Sequence, residues 1–265
     1  MLRTRVAIPV VALYNAWQSV GLGSPHNALV TAVEFDEDRL AEGDVGGLAD
    51  LARDGWADLE RLGLARGRQV HADLARSLRL IAEAGTEYYA FFNAGEDDTR
   101  SALVVQSGDD ALRVVLRQDK HFVVEPVRPE DAAQSLVSAL PEVRPGRGGV
   151  ISLPEDALSG RQPRRDADEG GGSFLQQSRP TGGHTQETQL VRKLLAEQRT
   201  GGGQLYAARR DRQGRKQRCA TPLTYFDTVT GRYLSAKTRG GDGTPWITVQ
   251  PADFTTLQNR LRQLA

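Results

Sequence analysis

Cysteine is almost absent from this chain of 265 residues, because Cys219 is the only one. A single cysteine cannot form a disulfide within the chain, and that usage suits a reducing compartment. No histidine lies near Cys219 in the sequence, so we interpret it as a small buried side chain in a strand and not as a nucleophile.

Net charge is also absent, since 34 Lys and Arg residues balance 34 Asp and Glu residues. The chain as a whole therefore gives no reason to expect nucleic acid or an anionic membrane as a partner. No apolar run approaches the length of a membrane span. Pro9, Asn15 and Trp17 interrupt the apolar run near the N-terminus, so we expect a strand and helix there and not a signal peptide. We expect a soluble, cytoplasmic protein without membrane insertion.

Groupings typical of catalytic or metal sites are lacking as well. His26, His71, His121 and His184 are predicted in a loop, a helix, a strand and a mobile insertion, and no two have the spacing of a metal site. The glycine runs 170–172 and 201–203 have no Lys-Ser or Lys-Thr after them, so we interpret both as flexible connections and not as phosphate cradles. The sequence predicts no enzyme, no metal and no cofactor.

The second half of the chain contains four β-rich runs separated by turns. Arg212, Gln213 and Gly214 form one turn, and Gly231 supplies a second glycine where a tight hairpin needs positive φ. The pattern predicts an antiparallel meander with strands over residues 204–210, 220–226, 232–236 and 246–249. Asp227 and Arg232 flank one of its hairpins, and we interpret them as a structural pair across the strands.

The first half contains a similar arrangement. Strands are predicted over residues 87–93, 101–107, 112–117 and 121–127, and helices over residues 69–84 and 129–140. The helix over residues 69–84 is indicated by Val70, Leu74, Leu78 and Ile81, which make one apolar stripe.

The two halves resemble each other in sequence. Residues 6–13 match residues 151–158, each as a strand leading into a helix with proline at its start, and residues 127–131 match residues 249–253. We therefore expect an α+β fold with a quasi-two-fold repeat, in which a central antiparallel sheet lies between helices. The predicted halves are residues 1–145 and 146–265, which together form one compact domain with a mobile insertion at residues 159–187.

The first hairpin of the second half carries a basic run. Its cations, opposed only by Asp211, are Arg209, Arg210, Arg212, Arg215, Lys216 and Arg218. A charged edge hairpin prevents edge-to-edge pairing of sheets, and it could equally guide encounter with a polar protein surface. A third alternative is nucleic-acid binding through residues 209–218. No aromatic residues alternate with these charges, which disfavours that alternative.

Several of these segments resemble the EspG family, the secretion-associated proteins of type VII (ESX) systems. The resemblance is carried mainly by residues 203–211, 214–215, 223–228, 231–234 and 249–253, and less specifically by residues 6–13 and 122–140. It covers nearly the full chain except residues 159–187. It implies a quasi-two-fold α+β fold with a central antiparallel sheet flanked by helical bundles.

The resemblance also implies a function. Members of the family are cytosolic chaperones that bind the tip of a helical secretion substrate, typically the PPE partner of a PE–PPE heterodimer, without catalytic residues or a cofactor. By analogy, the contact residues are expected in the first hairpin loop of the N-terminal half and on the C-terminal half. The candidate partner-binding residues are Glu96, Asp97, Asp98, Arg209, Arg212 and Arg215. A pseudo-symmetric monomer and a homodimer fit the sequence equally well.

Overall fold

The computed structural model describes residues 1–30, 45–95, 98–159, 181–241 and 243–265. These residues divide into two compact units. The first unit comprises Met1–Glu142, Gly201–Leu223 and Phe254–Ala265, and the second comprises Val143–Thr200 and Thr224–Asp253.

Helices and runs of consecutive strands follow one another along the chain, as is typical of an α+β fold. The helices are α1 (Val10–Val20), α2 (Asn27–Val30), α3 (Val45–Arg61), α4 (Ala72–Glu83), a 3-10 turn (Pro129–Asp131), α5 (Ala132–Val137), α6 (Glu155–Ser159), α7 (Thr181–Ala196) and α8 (Phe254–Arg262). The strands are β1 (Val6–Pro9), β2 (Ala65–Arg66), β3 (Gln69–Val70), β4 (Thr86–Asn93), β5 (Thr99–Ser107), β6 (Asp110–Leu116), β7 (His121–Pro126), β8 (Ile151–Pro154), β9 (Arg199–Arg210), β10 (Lys216–Arg218), β11 (Leu223–Thr228), β12 (Gly231–Arg239) and β13 (Pro245–Pro251). None of these helices is both long enough and apolar enough to cross a membrane.

The first unit is built on a large antiparallel sheet in the order β1-β7-β6-β5-β4-β9, with β10 paired to β9. Helices α1 and α4 supply side chains to the core on one face. That core combines their apolar stripes with alternate positions of β5 to β7: Leu13, Trp17, Leu74, Leu78, Ile81, Leu103, Val105, Leu112, Val114, Phe122 and Val124. The intervening positions Ala102 and Val104 are buried too, because successive strand residues point to opposite faces. Helix α5 packs on β4, β5 and β6 and against α8.

The second unit contains an antiparallel sheet in the order β11-β12-β13-β8. Helix α7 covers it with Val191 and Leu194, which join Leu153, Phe226 and Tyr233 in a second core. In this unit β8 pairs with the last strand, β13, as β1 pairs with β7 in the first unit. Both short strands end in proline and lead directly into a helix. The quasi-two-fold repeat, and the division into halves at residue 145, stay predictions.

The predicted α+β class with a large antiparallel sheet is confirmed, and several details differ. The glycines 201–203 lie within β9 and are not a flexible connection. A Cβ added at Gly203 would lie 2.6 Å from the Phe91 carbonyl oxygen, so glycine allows the close approach of β4. The predicted helix over residues 69–84 begins only at Ala72, because Gln69–Val70 pairs with Ala65–Arg66 in a short hairpin.

Two other segments differ from expectation. Cys219 follows β10 outside any strand and is half-buried, with its N–H donating to the Ala207 carbonyl at 2.8 Å. Helix α7 begins at Thr181 and so includes the last residues of the predicted insertion, while residues 160–180 lie outside the described part of the chain.

Candidate protein-binding site

The loop between β4 and β5 is one of the two predicted contact regions. The Ala94 N–H donates to the Asp98 carbonyl at 3.1 Å and closes the loop. Arg100 donates to both carboxylate oxygens of Asp98, at 2.9 and 2.5 Å. These hydrogen bonds from Arg100 lower the pKa of Asp98. Asp98 is therefore held as an anion within its own hairpin, and Glu96 and Asp97 lie outside the described residues.

The second predicted region is the hairpin between β9 and β10. The Asp211 carboxylate accepts the N–H groups of Gln213 and Arg215, both at 2.9 Å, and fixes the turn. Gly214 adopts a φ of 77°, as the sequence predicted. The side chains of Arg209, Arg212 and Arg215 are exposed. This hairpin accordingly presents positive charge to solvent.

The structure does not bring these two regions together. Strands β4 and β9 are antiparallel, with Thr86 opposite Arg209 and Asn93 opposite Gly202. The basic hairpin follows the end of β9 near Thr86, whereas the β4–β5 loop follows Asn93. At about 3.3 Å per residue, the two regions are separated by roughly 23 Å along the strands. A partner that touches both must span the β4–β9 pair.

An aromatic patch lies on β4 and β9 between the two regions. The rings of Tyr89 and Tyr206 stack with centroids 4.8 Å apart, and the Phe91 ring lies edge-on to Tyr206 at 6.2 Å. Tyr89 is buried, whereas Phe91 and Tyr206 are half-buried. We call Tyr89, Phe91, Tyr206 and Gln204 the β4–β9 face. The Tyr206 hydroxyl is held in place on this face, because it donates to the Gln204 side chain at 2.5 Å.

A buried polar cluster adjoins this face at the start of β4. The Ala28 N–H donates to His26 Nδ1 at 3.1 Å, so His26 carries its proton on Nε2 and donates it to Glu87 at 3.2 Å. Lys216 donates to the same carboxylate oxygen of Glu87. Burial raises the pKa of Glu87, but the hydrogen bonds from His26 and Lys216 outweigh burial and leave that pKa lowered.

Sequence reasoning missed this cluster and part of the aromatic patch. His26 was placed in an ordinary loop, and its partner Glu87 is 61 residues away. Arg218 lies 5.5 Å from the centroid of the Tyr89 ring and 6.0 Å from that of Tyr206, although no aromatic residue is near Arg218 in sequence. The alternation of Tyr89 and Phe91 along β4 was the available signal, but the identity of the neighbouring strand was needed to use it.

The pair formed by Asp227 and Arg232 has the predicted structural role. The two residues are directly opposite across β11 and β12, and Arg232 donates to both carboxylate oxygens at 2.7 and 2.8 Å. Both side chains are almost completely buried. The Arg232 guanidinium also lies 4.5 Å from the centroid of the Tyr225 ring. The pair organises the interior of the second unit and offers no accessible reactive group.

The described residues contain no group of three or more His, Cys, Asp or Glu side chains that could hold a metal ion. The geometry instead provides aromatic surface bordered by charged loops. Such a surface can bind another protein, since aromatic side chains are enriched in interfaces and charged rims guide encounter.

Comparison with known proteins gives a family and a fold. The model of the EspG family matches residues 9–263. Among solved structures, the chain is similar to the type VII secretion system chaperone EspG5 of Mycobacterium tuberculosis, solved in complex with the PE25–PPE41 dimer. The TM-score is 0.64 and the identity 13%, over 98% of this chain and 95% of that one. At this identity the similarity shows a shared fold. No curated protein matches the chain.

Proposed function

Because the chain belongs to the EspG family, we propose that it is a chaperone specific for a helical substrate of type VII secretion. Its partner is a PE–PPE-like heterodimer or a related export protein, which it keeps soluble until export. The observation that carries this proposal is the shared fold with EspG5, a chaperone solved with a PE–PPE dimer bound, over 98% of the chain. The protein works in the cytosol by binding and not by catalysis.

The physical task of such a chaperone is to cover an apolar tip. Exposed apolar patches drive association in water, so a helical bundle with an apolar end requires a cover until export. The β4–β9 face supplies the apolar area, because Phe91 and Tyr206 are only half-buried. The charged regions at its two ends, around Asp98 and around Arg212, supply a polar rim that orients the substrate.

The basic hairpin suits a protein partner better than nucleic acid. Arg210 donates to the Ala82 carbonyl at 2.7 Å, and Lys216 is bound to Glu87, so two of its cations are engaged within the protein. Fewer positive charges are left for phosphates than the sequence indicates. We expect that the protein retains neither DNA nor RNA in a filter-binding assay at low salt. Low salt is the stringent condition, because binding to phosphates is strongest at low ionic strength.

The proposal is tested by co-expression. The chain is produced with each PE–PPE-like pair encoded in the same genome and purified through a tag on the chain alone. At least one pair is expected to be retained in soluble form, and the same pair expressed alone is expected to aggregate. If every pair is equally soluble with and without the chain, and none is retained, the proposed function is wrong.

The basic rim is tested by charge reversal at the exposed tip of the β9–β10 hairpin. The double variant Arg212→Glu/Arg215→Glu is expected to weaken substrate capture about threefold to tenfold, mainly through slower association at low salt. Arg68→Glu is the matched control, because Arg68 is an exposed arginine of the β2–β3 turn. Equal association rates for the two variants would remove the hairpin from the interface.

The acidic rim requires a different design, because Asp98 already pairs with Arg100. The exchange Asp98→Lys/Arg100→Glu keeps an ion pair in the hairpin while reversing the positions of the two charges. If Asp98 faces the substrate, the exchange weakens capture although the hairpin retains its internal pair. Unchanged capture with unchanged thermal unfolding would place the contact elsewhere.

A further inference from the structure

A polar cavity of about 160 Å³ lies in the first unit, beside the β4–β9 face. Its wall contains basic side chains from the β9–β10 hairpin together with residues around α1 and α2: Arg210, Lys216, Arg218, His26, Trp17 and Pro25. Three permanent cations around one small cavity are unusual, because like charges repel unless anions compensate them.

The cavity contains more positive than negative charge. Glu87 compensates Lys216, with which it forms a salt bridge. Among the described residues, Arg210 donates to two neutral acceptors, the carbonyl oxygens of Ala82 at 2.7 Å and Gly214 at 3.1 Å. Arg218 rests against the rings of the β4–β9 face. Within the described ranges, neither Arg210 nor Arg218 has a carboxylate within salt-bridge distance.

One donor in this wall is buried and has no acceptor. The Nε of Arg210 is inaccessible to solvent and makes no hydrogen bond among the residues that the structure describes. A buried N–H group without a partner is costly. Since its terminal nitrogens donate to two carbonyls and its Nε–H is buried, Arg210 is held in place as a fixed positive charge in the cavity wall.

A second cavity adjoins the cationic one. An apolar cavity of about 280 Å³ shares Trp17, Ser24 and Pro25 with the cationic one. Leu13 and Leu29 are among the side chains that complete its lining. A group that fills both cavities has an acidic end and an apolar neighbour, which describes an acidic side chain next to an apolar one on a protein surface.

We propose that the cationic cavity binds a carboxylate, supplied by an acidic side chain of the secretion substrate. This inference rests on the proposed function. Arginine donates to carboxylates through a planar fork, and such charge-assisted hydrogen bonds are stronger than neutral ones. Arg218 donates to the carboxylate and the fixed charge of Arg210 attracts it, while Lys216 stays with Glu87. The cavity thereby selects substrates that place an acidic residue beside their apolar tip.

The carboxylate chemistry is tested without any substrate. The intact protein is titrated with sodium acetate at constant ionic strength, and the Nε–H signals of its arginines are followed by NMR. The signals of Arg210 and Arg218 are expected to shift and saturate, while that of Arg68 stays unchanged. Arg218→Gln should abolish the saturable shift at Arg210. If all three arginines shift alike and without saturation, the site does not exist.

The source of the carboxylate is tested with the PE–PPE-like pair that co-purifies with the chain. Arg218→Gln is expected to lower the affinity for this pair about tenfold, and Arg68→Gln to leave it unchanged. Saturating acetate should compete with the pair on the wild-type protein and not on Arg218→Gln. If acetate binds but Arg218→Gln does not change the affinity for the pair, the carboxylate does not come from the substrate. The cavity would then bind a free carboxylic acid.

These outcomes separate the inference from the proposed function. A protein that binds acetate at Arg210 but captures no PE–PPE-like pair refutes the chaperone role and supports the carboxylate site. The opposite outcome is that wild type and Arg218→Gln capture the pair equally well and that acetate causes no saturable shift. In that case the chaperone role stands and the proposed carboxylate site is refuted. Arg218 is exposed and its contact with the rings of Tyr89 and Tyr206 is weak at such a site, so its replacement is expected to change thermal unfolding only slightly.

Discussion

Removal of the Asp227 carboxylate should destabilise the second unit more than any exposed ion pair could. Arg232 is 0% exposed and donates to both oxygens of Asp227 at 2.7 and 2.8 Å. In Asp227→Ala, the guanidinium stays in the interior and loses this carboxylate. Breaking a buried pair in this way costs about 3–5 kcal/mol, a large part of the roughly 5–15 kcal/mol that stabilises a folded domain.

The measurement is equilibrium unfolding in urea, followed by tryptophan fluorescence. Trp246 lies on β13 and reports on the second unit, whereas Trp17 and Trp56 belong to the first. Replacing Trp17 and Trp56 by phenylalanine in a common background isolates the Trp246 signal. Asp227→Ala is expected to lower the midpoint of the Trp246 transition strongly, with little change in its slope.

Two further variants fix the interpretation. Asp227→Leu/Arg232→Met removes both charges of this pair from the interior, so most of the stability should return. The exposed pair between Arg76 and Asp110, at 2.8 Å, is the matched control, and Asp110→Ala should cost less than about 1 kcal/mol. If Asp227→Ala costs no more than Asp110→Ala, the buried pair does not organise the second unit.

Other predictions concern β9 and the polar cluster. Gly203→Ala should destabilise the protein by about 1–3 kcal/mol because its Cβ would lie 2.6 Å from a carbonyl oxygen of β4; Gly149→Ala, with no atom within 4 Å, is the control, and equal unfolding midpoints would contradict the close approach. Glu87→Gln should be less stable than wild type at neutral pH. Since hydrogen bonds from His26 and Lys216 lower the folded-state pKa of Glu87 below its ordinary value of 4.5, the wild-type advantage is present above that value and is lost as pH falls through the lower folded-state pKa. Urea unfolding of both proteins between about pH 7 and pH 3 checks this, and a constant difference would refute it.

The regular elements were largely predictable, because their signals are local. Strands β4 to β7 lie within a few residues of their predicted positions, since they are short runs rich in β-branched and aromatic residues between polar turns. The stripe of Leu74, Leu78 and Ile81 identified α4. The glycines 201–203 show the limit of such signals. A glycine run usually indicates flexibility, and only the backbone of β4 makes it part of a strand.

The binding surface was less predictable, because it depends on which strands pair. The candidates Asp98 and Arg212 are both near hairpin turns, but the antiparallel register of β4 and β9 places them at opposite ends of the β4–β9 pair. The same register stacks Tyr89 on Tyr206. It also places the basic run of the hairpin beside Glu87, where Lys216 acquires a partner that no local pattern indicates.

The central claim is that this chain binds a PE–PPE-like pair as a chaperone. The most direct measurement is light scattering during size-exclusion chromatography of the purified chain mixed with the pair that it retains in co-expression. A single species whose mass contains the chain and both substrate chains is predicted. Separate peaks at the masses of the free chain and the free pair, at concentrations well above micromolar, would contradict the claim.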